Sequence, residues 1–290
     1  MKKIVFLLLL NTTLVSCALE EKHPNSTTNV NPQQNNYATE HNNTNNKTSS
    51  YNGYVPKDDL EQKYFDAIYD YSTWNSFRSK FTYLEDLKGD DDIPLELYNN
   101  SRFIIEPYQL HQDYHSIYFR NDNIEVYATE DAAYENQHYT TWGKVEDHSI
   151  YIKNPLPIRS DLYYALISGS EGVVAENPSK ISFNIAKQNW EALYKKVQLA
   201  YFHNLINEDT SSTDGIEDLL ESLENIEGFL VEMTLENNKL SKINITISFN
   251  RKDVKTVDQL LFSDEYFEIN AIDLIEIPSE VIEESRLTDG

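Results

Sequence analysis

The alternation of apolar and polar positions is clearest in the last third of the chain. Phe229, Val231, Met233 and Leu235 alternate with Glu232, Thr234 and Glu236; Asn237-Asn238 turns the chain; Ile243, Ile245, Ile247 and Phe249 alternate with Asn244, Thr246, Ser248 and Asn250. A period of two with one oily and one wet side predicts antiparallel strands of a sheet with a single buried face. A further strand is expected through Phe267, Ile269, Ala271, Ile275 and Ile277, ending in Pro278-Ser279-Glu280-Val281. Earlier in the chain Phe77, Phe81 and Tyr83 are near-alternate, and Phe103-Ile104-Ile105 continues the β character. His115–Phe119 and Ile124–Tyr127 flank Arg120-Asn121-Asp122-Asn123, whose Asn and Asp tolerate turn dihedrals, so a hairpin is expected there. His138–Trp142 reads as one more strand, ending at Gly143.

Between these runs the period changes to that of a helix. Leu60, Tyr64, Ile68 and Tyr71 recur at helical spacing behind Asp58-Asp59, acids placed where the helix dipole favours them. Trp190, Leu193, Tyr194, Val197, Tyr201 and Leu205 form the cleanest stripe of period 3.6, with Lys187, Lys195 and Lys196 off it. Ile216, Leu219, Leu220 and Leu223 suggest a shorter helix capped by Ser212-Thr213-Asp214. Helices and strands in this arrangement give an α+β domain: a long antiparallel sheet with helices packed on one face.

The first 56 residues read differently. Lys2-Lys3, an unbroken apolar run Ile4–Leu10 and the ending Leu14-Val15-Ser16-Cys17 form a secretion signal, too short to span a membrane. The Leu-Val-Ser-Cys ending resembles the lipobox of bacterial lipoproteins. That resemblance implies acylation of the Cys17 thiol and cleavage before it, with residues 1–16 removed and the chain fixed to the extracytoplasmic face of the cell membrane. Two acyl chains on one sulfur anchor firmly. Residues 17–56 are rich in Asn, Thr and Ser, as in Asn42-Asn43-Thr44-Asn45-Asn46. They offer too little apolar surface to offset ordering entropy, and are expected to be a disordered tether. Residues 57–290 form the single globular domain.

Charge narrows the partners. The chain has 24 basic against 48 acidic side chains, net −24 at pH 7; removing residues 1–16 takes away two lysines and no acids, leaving −26. Such a chain repels phosphate backbones and anionic headgroups, which argues against nucleic acid and leaves the lipid anchor as the membrane attachment. Cys17 is the only cysteine, so no disulfide supports the fold.

No phosphate loop, nucleophile elbow or His-Glu-Xaa-Xaa-His motif occurs; the chain is expected to be no enzyme, with no catalytic residue, metal or cofactor. His111 and His115, with Asp113 between, are about 13 Å apart in an extended segment at roughly 3.3 Å per residue, too far to share one ion. Asp90-Asp91-Asp92 lacks the spaced acids and distal Glu of a Ca²⁺ loop. The 20 tyrosines invite a sugar- or peptide-binding platform, yet Tyr is equally a strand and rim residue.

The lipobox, the tether, the helix followed by strands, the segment Tyr139-Thr140-Thr141-Trp142-Gly143-Lys144 and the closing Ile275-Glu276-Ile277-Pro278-Ser279-Glu280-Val281 together resemble the half-barrel lipoproteins of the LolA/LppX-like group, especially uncharacterised Firmicute members. The resemblance implies a strongly curved antiparallel sheet whose concave face is covered by helices, with space for acyl chains between them. On that reading Trp142, Trp190, Tyr194, Val197 and Phe249 line a common interior that binds an apolar or lipid ligand. The alternative is a cell-surface interaction protein that offers the polar sheet face to a wall polymer or protein partner. An open apolar pocket favours the first, a closed aromatic-filled core the second.

The lipobox is tested directly by metabolic labelling. Fatty acid is incorporated into the wild type and not into Cys17→Ala; equal labelling of both removes the anchor.

Overall fold

The computed structural model describes residues 50–87, 95–116, 123–137, 140–202, 226–249 and 257–288. Cys17, residues 18–49 of the expected tether, Asp90-Asp91-Asp92, Ile117–Asp122, His138-Tyr139, Leu205 and the helix expected at Ile216–Leu223 lie outside these residues.

The described residues form an α+β unit: one sheet of 11 strands, all paired antiparallel, and four α-helices. The strands are β1 (Ser76–Leu87), β2 (Leu95–Ile104), β3 (Gln109–Ser116), β4 (Asn123–Thr129), β5 (Ala133–Gln137), β6 (Trp142–Lys144), β7 (Val174–Asn177), β8 (Lys180–Asn184), β9 (Ile226–Glu236), β10 (Lys239–Phe249) and β11 (Val257–Phe267). Their order across the sheet is β6-β5-β4-β3-β2-β1-β11-β10-β9-β8-β7. Two meanders, β1–β6 and β7–β11, therefore join where the first strand of one pairs with the last strand of the other. The helices are α1 (Asp59–Ser72), α2 (Leu156–Ser168), α3 (Trp190–Phe202) and α4 (Ser279–Thr288).

Each face of the sheet is set by parity. Phe77, Phe81, Tyr83 and Glu85 of β1 are buried, as are Leu260, Phe262, Asp264 and Tyr266 of β11 and Ile243, Ile245 and Ile247 of β10. These side chains share the inner face, on which α1, α2 and α3 pack. Their even- or odd-numbered neighbours, such as Arg78 and Lys80, share the outer face.

α1 begins where Asp58 accepts the amide of Glu61 at 2.8 Å, and the Glu61 carboxylate reaches back to the amide of Lys57 at 2.8 Å. This reciprocal arrangement satisfies amides that the first turn leaves open. Just before it, Asn52 and Gly53 take positive φ (47° and 81°) in a tight turn that pairs Tyr51 with Tyr54. The turn is held to the helices: Tyr51 stacks on Tyr164 at 5.3 Å and donates to Asp161, while Tyr54 stacks on Phe65 at 5.7 Å and donates to buried Glu61. Residues 51–54 thus lie on the helical side.

α2 gave no periodic signal in the sequence because it is apolar on every side. Nine of its 13 residues are buried, among them Leu162, Tyr163, Leu166 and Ile167, and an all-round apolar helix has no stripe. The expected last strand also needs correction. Glu268 and Asn270 adopt positive φ (50° and 54°), β11 stops at Phe267, and Ile269–Ile277 runs as irregular chain into α4. Pro278-Ser279-Glu280-Val281 is a helix start, not a strand end. That segment crosses the outer side of the sheet, where Ile272 donates to Ser76 Oγ at 3.1 Å and Ile275 to Gln109 Oε1 at 2.8 Å. It delivers α4 to β5 and β6. The packing of helices on one face therefore holds for α1, α2 and α3.

Buried Glu85 receives a hydrogen bond from Tyr83 and faces no cation among the described residues; burial raises its pKa. A carboxyl whose folded pKa is raised contributes stability below its unfolded pKa, and that contribution is lost as pH rises through the folded value. Glu85→Gln should therefore match the wild type near pH 4 and gain on it toward pH 8 in thermal melts. A difference that stays constant or shrinks with pH would refute this.

Candidate functional site

Two surfaces compete for function: the space between sheet and helices, and the outer face of the sheet. The inner space is centred on an ion pair. Arg159 of α2 places Nη1 2.8 Å from Oδ2 of Asp264 on β11, and the Asp264 side chain is wholly buried. Tyr266 donates to the same carboxylate oxygen at 2.8 Å. The Tyr266 hydroxyl meets that of Tyr163 on α2 at 2.5 Å and that of Tyr71 on α1 at 3.4 Å; Tyr163 reaches Tyr201 of α3 at 3.3 Å. The Arg159 guanidinium lies 5.4 Å from the centre of the Tyr201 ring. One polar network thus touches all three inner helices and the sheet.

Its electrostatics follow from burial. Desolvation is the largest influence on Asp264 and raises its pKa, with the Arg159 charge opposing it. For Arg159, burial works against the charge, and Asp264 with the surrounding phenols outweighs it, so the guanidinium stays protonated. Burial likewise pushes Tyr163 and Tyr266 well above the usual phenol range, and Tyr71 to about 12. The hydroxyls act as neutral donors. Ser79 also favours the ionised carboxylate, although Asp264 Oδ1 has no partner at full hydrogen-bond geometry.

Around this network rings of the described residues pack against one another. Trp74 meets Tyr71 at 4.8 Å, Tyr71 meets Tyr266 at 5.1 Å, Tyr201 stacks on Phe81 at 4.8 Å and on Phe262 at 5.8 Å, and Phe262 meets Tyr83 at 5.0 Å. Such edge and offset contacts add to the area the rings bury.

Of the residues expected to line one interior, Tyr194 and Val197 are buried in the core cluster, with Trp190 and Phe249 partly buried against it. Trp190 is held by a bond from its indole N–H to the Ile185 carbonyl at 2.8 Å. Trp142 is not with them. It sits on β6 opposite Asn136, which the register places on the outer face, and packs on Tyr127 at 5.5 Å. Sequence reasoning missed Arg159 and Asp264. Their signal was present: a lone acid at an inward position of an alternating strand, and a lone base in an apolar helix.

The outer face is polar. His111 bonds Glu125 at 2.9 Å and stacks on Tyr127 at 4.3 Å. His115 bonds Asp113 at 3.0 Å and Asn123 at 3.1 Å, so each histidine has its own carboxylate. Lys242 pairs with Glu265, and Lys180 with Glu176 and Glu232. Near the β7 edge lies a shallow depression of about 390 Å³ lined by Gly172, Val174, Ser182, Asn184 and Leu230. Among the described residues no group of His, Cys, Asp and Glu is arranged to hold a metal ion, and no helix is long and apolar enough to cross a membrane. No known family model matches the chain, and no curated protein matches it.

Breaking one half of a buried ion pair strands the other charge, whereas replacing both is tolerated. Arg159→Met and Asp264→Leu should each lower stability by about 3–5 kcal/mol, and the double variant should recover most of that loss in urea unfolding. Additive losses would show that the two groups act separately.

Proposed function

We propose that this chain is a lipid-anchored extracytoplasmic interaction protein that binds a wall polymer or protein partner through the outer face of its sheet. The observation that carries the reading is the packing around the buried ion pair: among the described residues, rings from α1, α2, α3, β1 and β11 meet there. An acyl chain between these elements would have to displace aromatic side chains and desolvated charge. Transport of an apolar ligand between sheet and helices is therefore the weaker reading.

The placement of the residues before α1 supports the same conclusion. Tyr51 and Tyr54 dock residues 51–54 on α1 and α2, on the side of the sheet away from the outer face. Cys17 acylation and residence on the outer side of the cell membrane belong to this proposal. So does a sheet bowed into a half-barrel around α1–α3, as in the LolA/LppX-like group. Strands twist by about 20–25° each, and open sheets beyond about ten strands curl or split, which favours such bowing in a sheet of 11.

Thr82 lies at the middle of the outer face, opposite Tyr98 and Ser263, whereas Leu199 is exposed on α3. A polyethylene glycol chain coupled to Thr82→Cys should abolish co-sedimentation with purified cell envelopes, and the same chain on Leu199→Cys should leave it intact. Solvent extraction of the purified protein should release no stoichiometric lipid. Blocking at Leu199 alone, or one equivalent of lipid per chain, would overturn the reading.

A further inference from the structure

We propose that a cation–tyrosine row across the outer face of β1–β6 binds an anionic, sugar-bearing polymer, an inference that rests on the interaction reading above. The sheet register places Arg78, Arg102, His111, Tyr127, Tyr134 and Lys144 directly opposite one another, strand to strand. Adjacent strands lie roughly 4.8 Å apart, so the row extends about 24 Å.

The row is unusual for this chain. Acids outnumber bases two to one overall, 48 to 24, yet no acid stands within the row. Two arginines face each other across β1 and β2, and like charges directly opposite destabilise a sheet. Of the neighbouring acids, Glu125 engages His111, Asp113 engages His115 and Glu265 engages Lys242, while the charge of Glu280 on α4 acts on Tyr127. Arg102 and Lys144 are exposed and make no ion pair among the described residues. Among the described residues Arg78 pairs only with Glu268, at 3.8 Å with both side chains over 40% exposed, an arrangement of little strength. Charge placed against the fold's interest is available to a partner.

Tyr127 and Tyr134 supply the second half of the chemistry. Tyr127 is half-buried with its ring already stacked on His111 at 4.3 Å, so its position is set before any ligand arrives. Guanidinium groups bind sulfate, phosphate or carboxylate in a bidentate manner, and aromatic rings bind the apolar faces of sugars. The irregular segment after β11 runs along one side of the row, held at Ser76 and Gln109. The row is thus bordered on that side by the segment, and α4 packs at its β5–β6 end.

The test uses the full chain with heparin as the sulfated glycan, polyphosphate as an anion without sugar rings and dextran as sugar without charge. Because the protein is strongly acidic, unspecific attraction to heparin is absent. Heparin should bind, polyphosphate at least tenfold more weakly, and dextran not at all. The double variant Arg78→Gln, Arg102→Gln should lose at least tenfold in heparin affinity with an unchanged melting temperature, and Tyr127→Ala severalfold. Equal binding of dextran or polyphosphate, or an indifferent double variant, overturns the inference. If heparin fails while envelope binding persists and is still blocked at Thr82, this inference falls and the interaction reading stands; indifference to the Thr82 block removes the reading itself.

Discussion

The structure depends on one buried ion pair and the phenols around it. Asp264 lies inside the β11 face of the sheet, and a lone carboxylate there would carry a desolvation penalty of several kcal/mol. Arg159 and Tyr266 offset it, and through Tyr163, Tyr71 and Tyr201 the compensation involves α1, α2 and α3. The helices are therefore docked in a defined position and not merely by oily contact. A purely apolar interface between three helices and a sheet could slide; one with a single acceptor at its centre has one register.

This constraint shapes the functional reading. A fold without disulfides that packs its inner face with aromatic rings around fixed charge has committed that face to stability. The outer face has the opposite character. Away from α4, which packs on β5 and β6 where Trp142 is buried, its side chains are short of apolar packing, its ion pairs are surface pairs of small worth, and its arginines are placed where they cost the sheet. Binding chemistry is most economically built on the side that stability does not require, and Tyr51 and Tyr54 dock on the other side.

Much of the fold could be read from the sequence, for a specific reason. β9 and β10 alternate without interruption, and α1 and α3 each have one buried stripe, so a local period reports burial directly. α2 was hidden because burial on all sides erases the period. β11 was hidden because Asp264 sits where a strand pattern calls for an apolar residue, and that same substitution is the centre of the core. The irregular segment Ile269–Ile277 reads as strand because its apolar residues alternate, while Glu268 and Asn270 bend the backbone away from β geometry. The cation–tyrosine row had no trace in the sequence at all. Its members come from five strand-to-strand registers, a long-range property, and Trp142 was assigned to the wrong face for want of the same information.

The central claim is that sheet and inner helices form one cooperative unit locked by Arg159 and Asp264. Native-state amide hydrogen exchange measures this most directly, because it ranks segments by the free energy of the opening that exposes them. The account predicts that the amides of β1, β11 and α2 exchange last and together, only through global unfolding. Exchange of α2 well ahead of β11, with the sheet still protected, would contradict it.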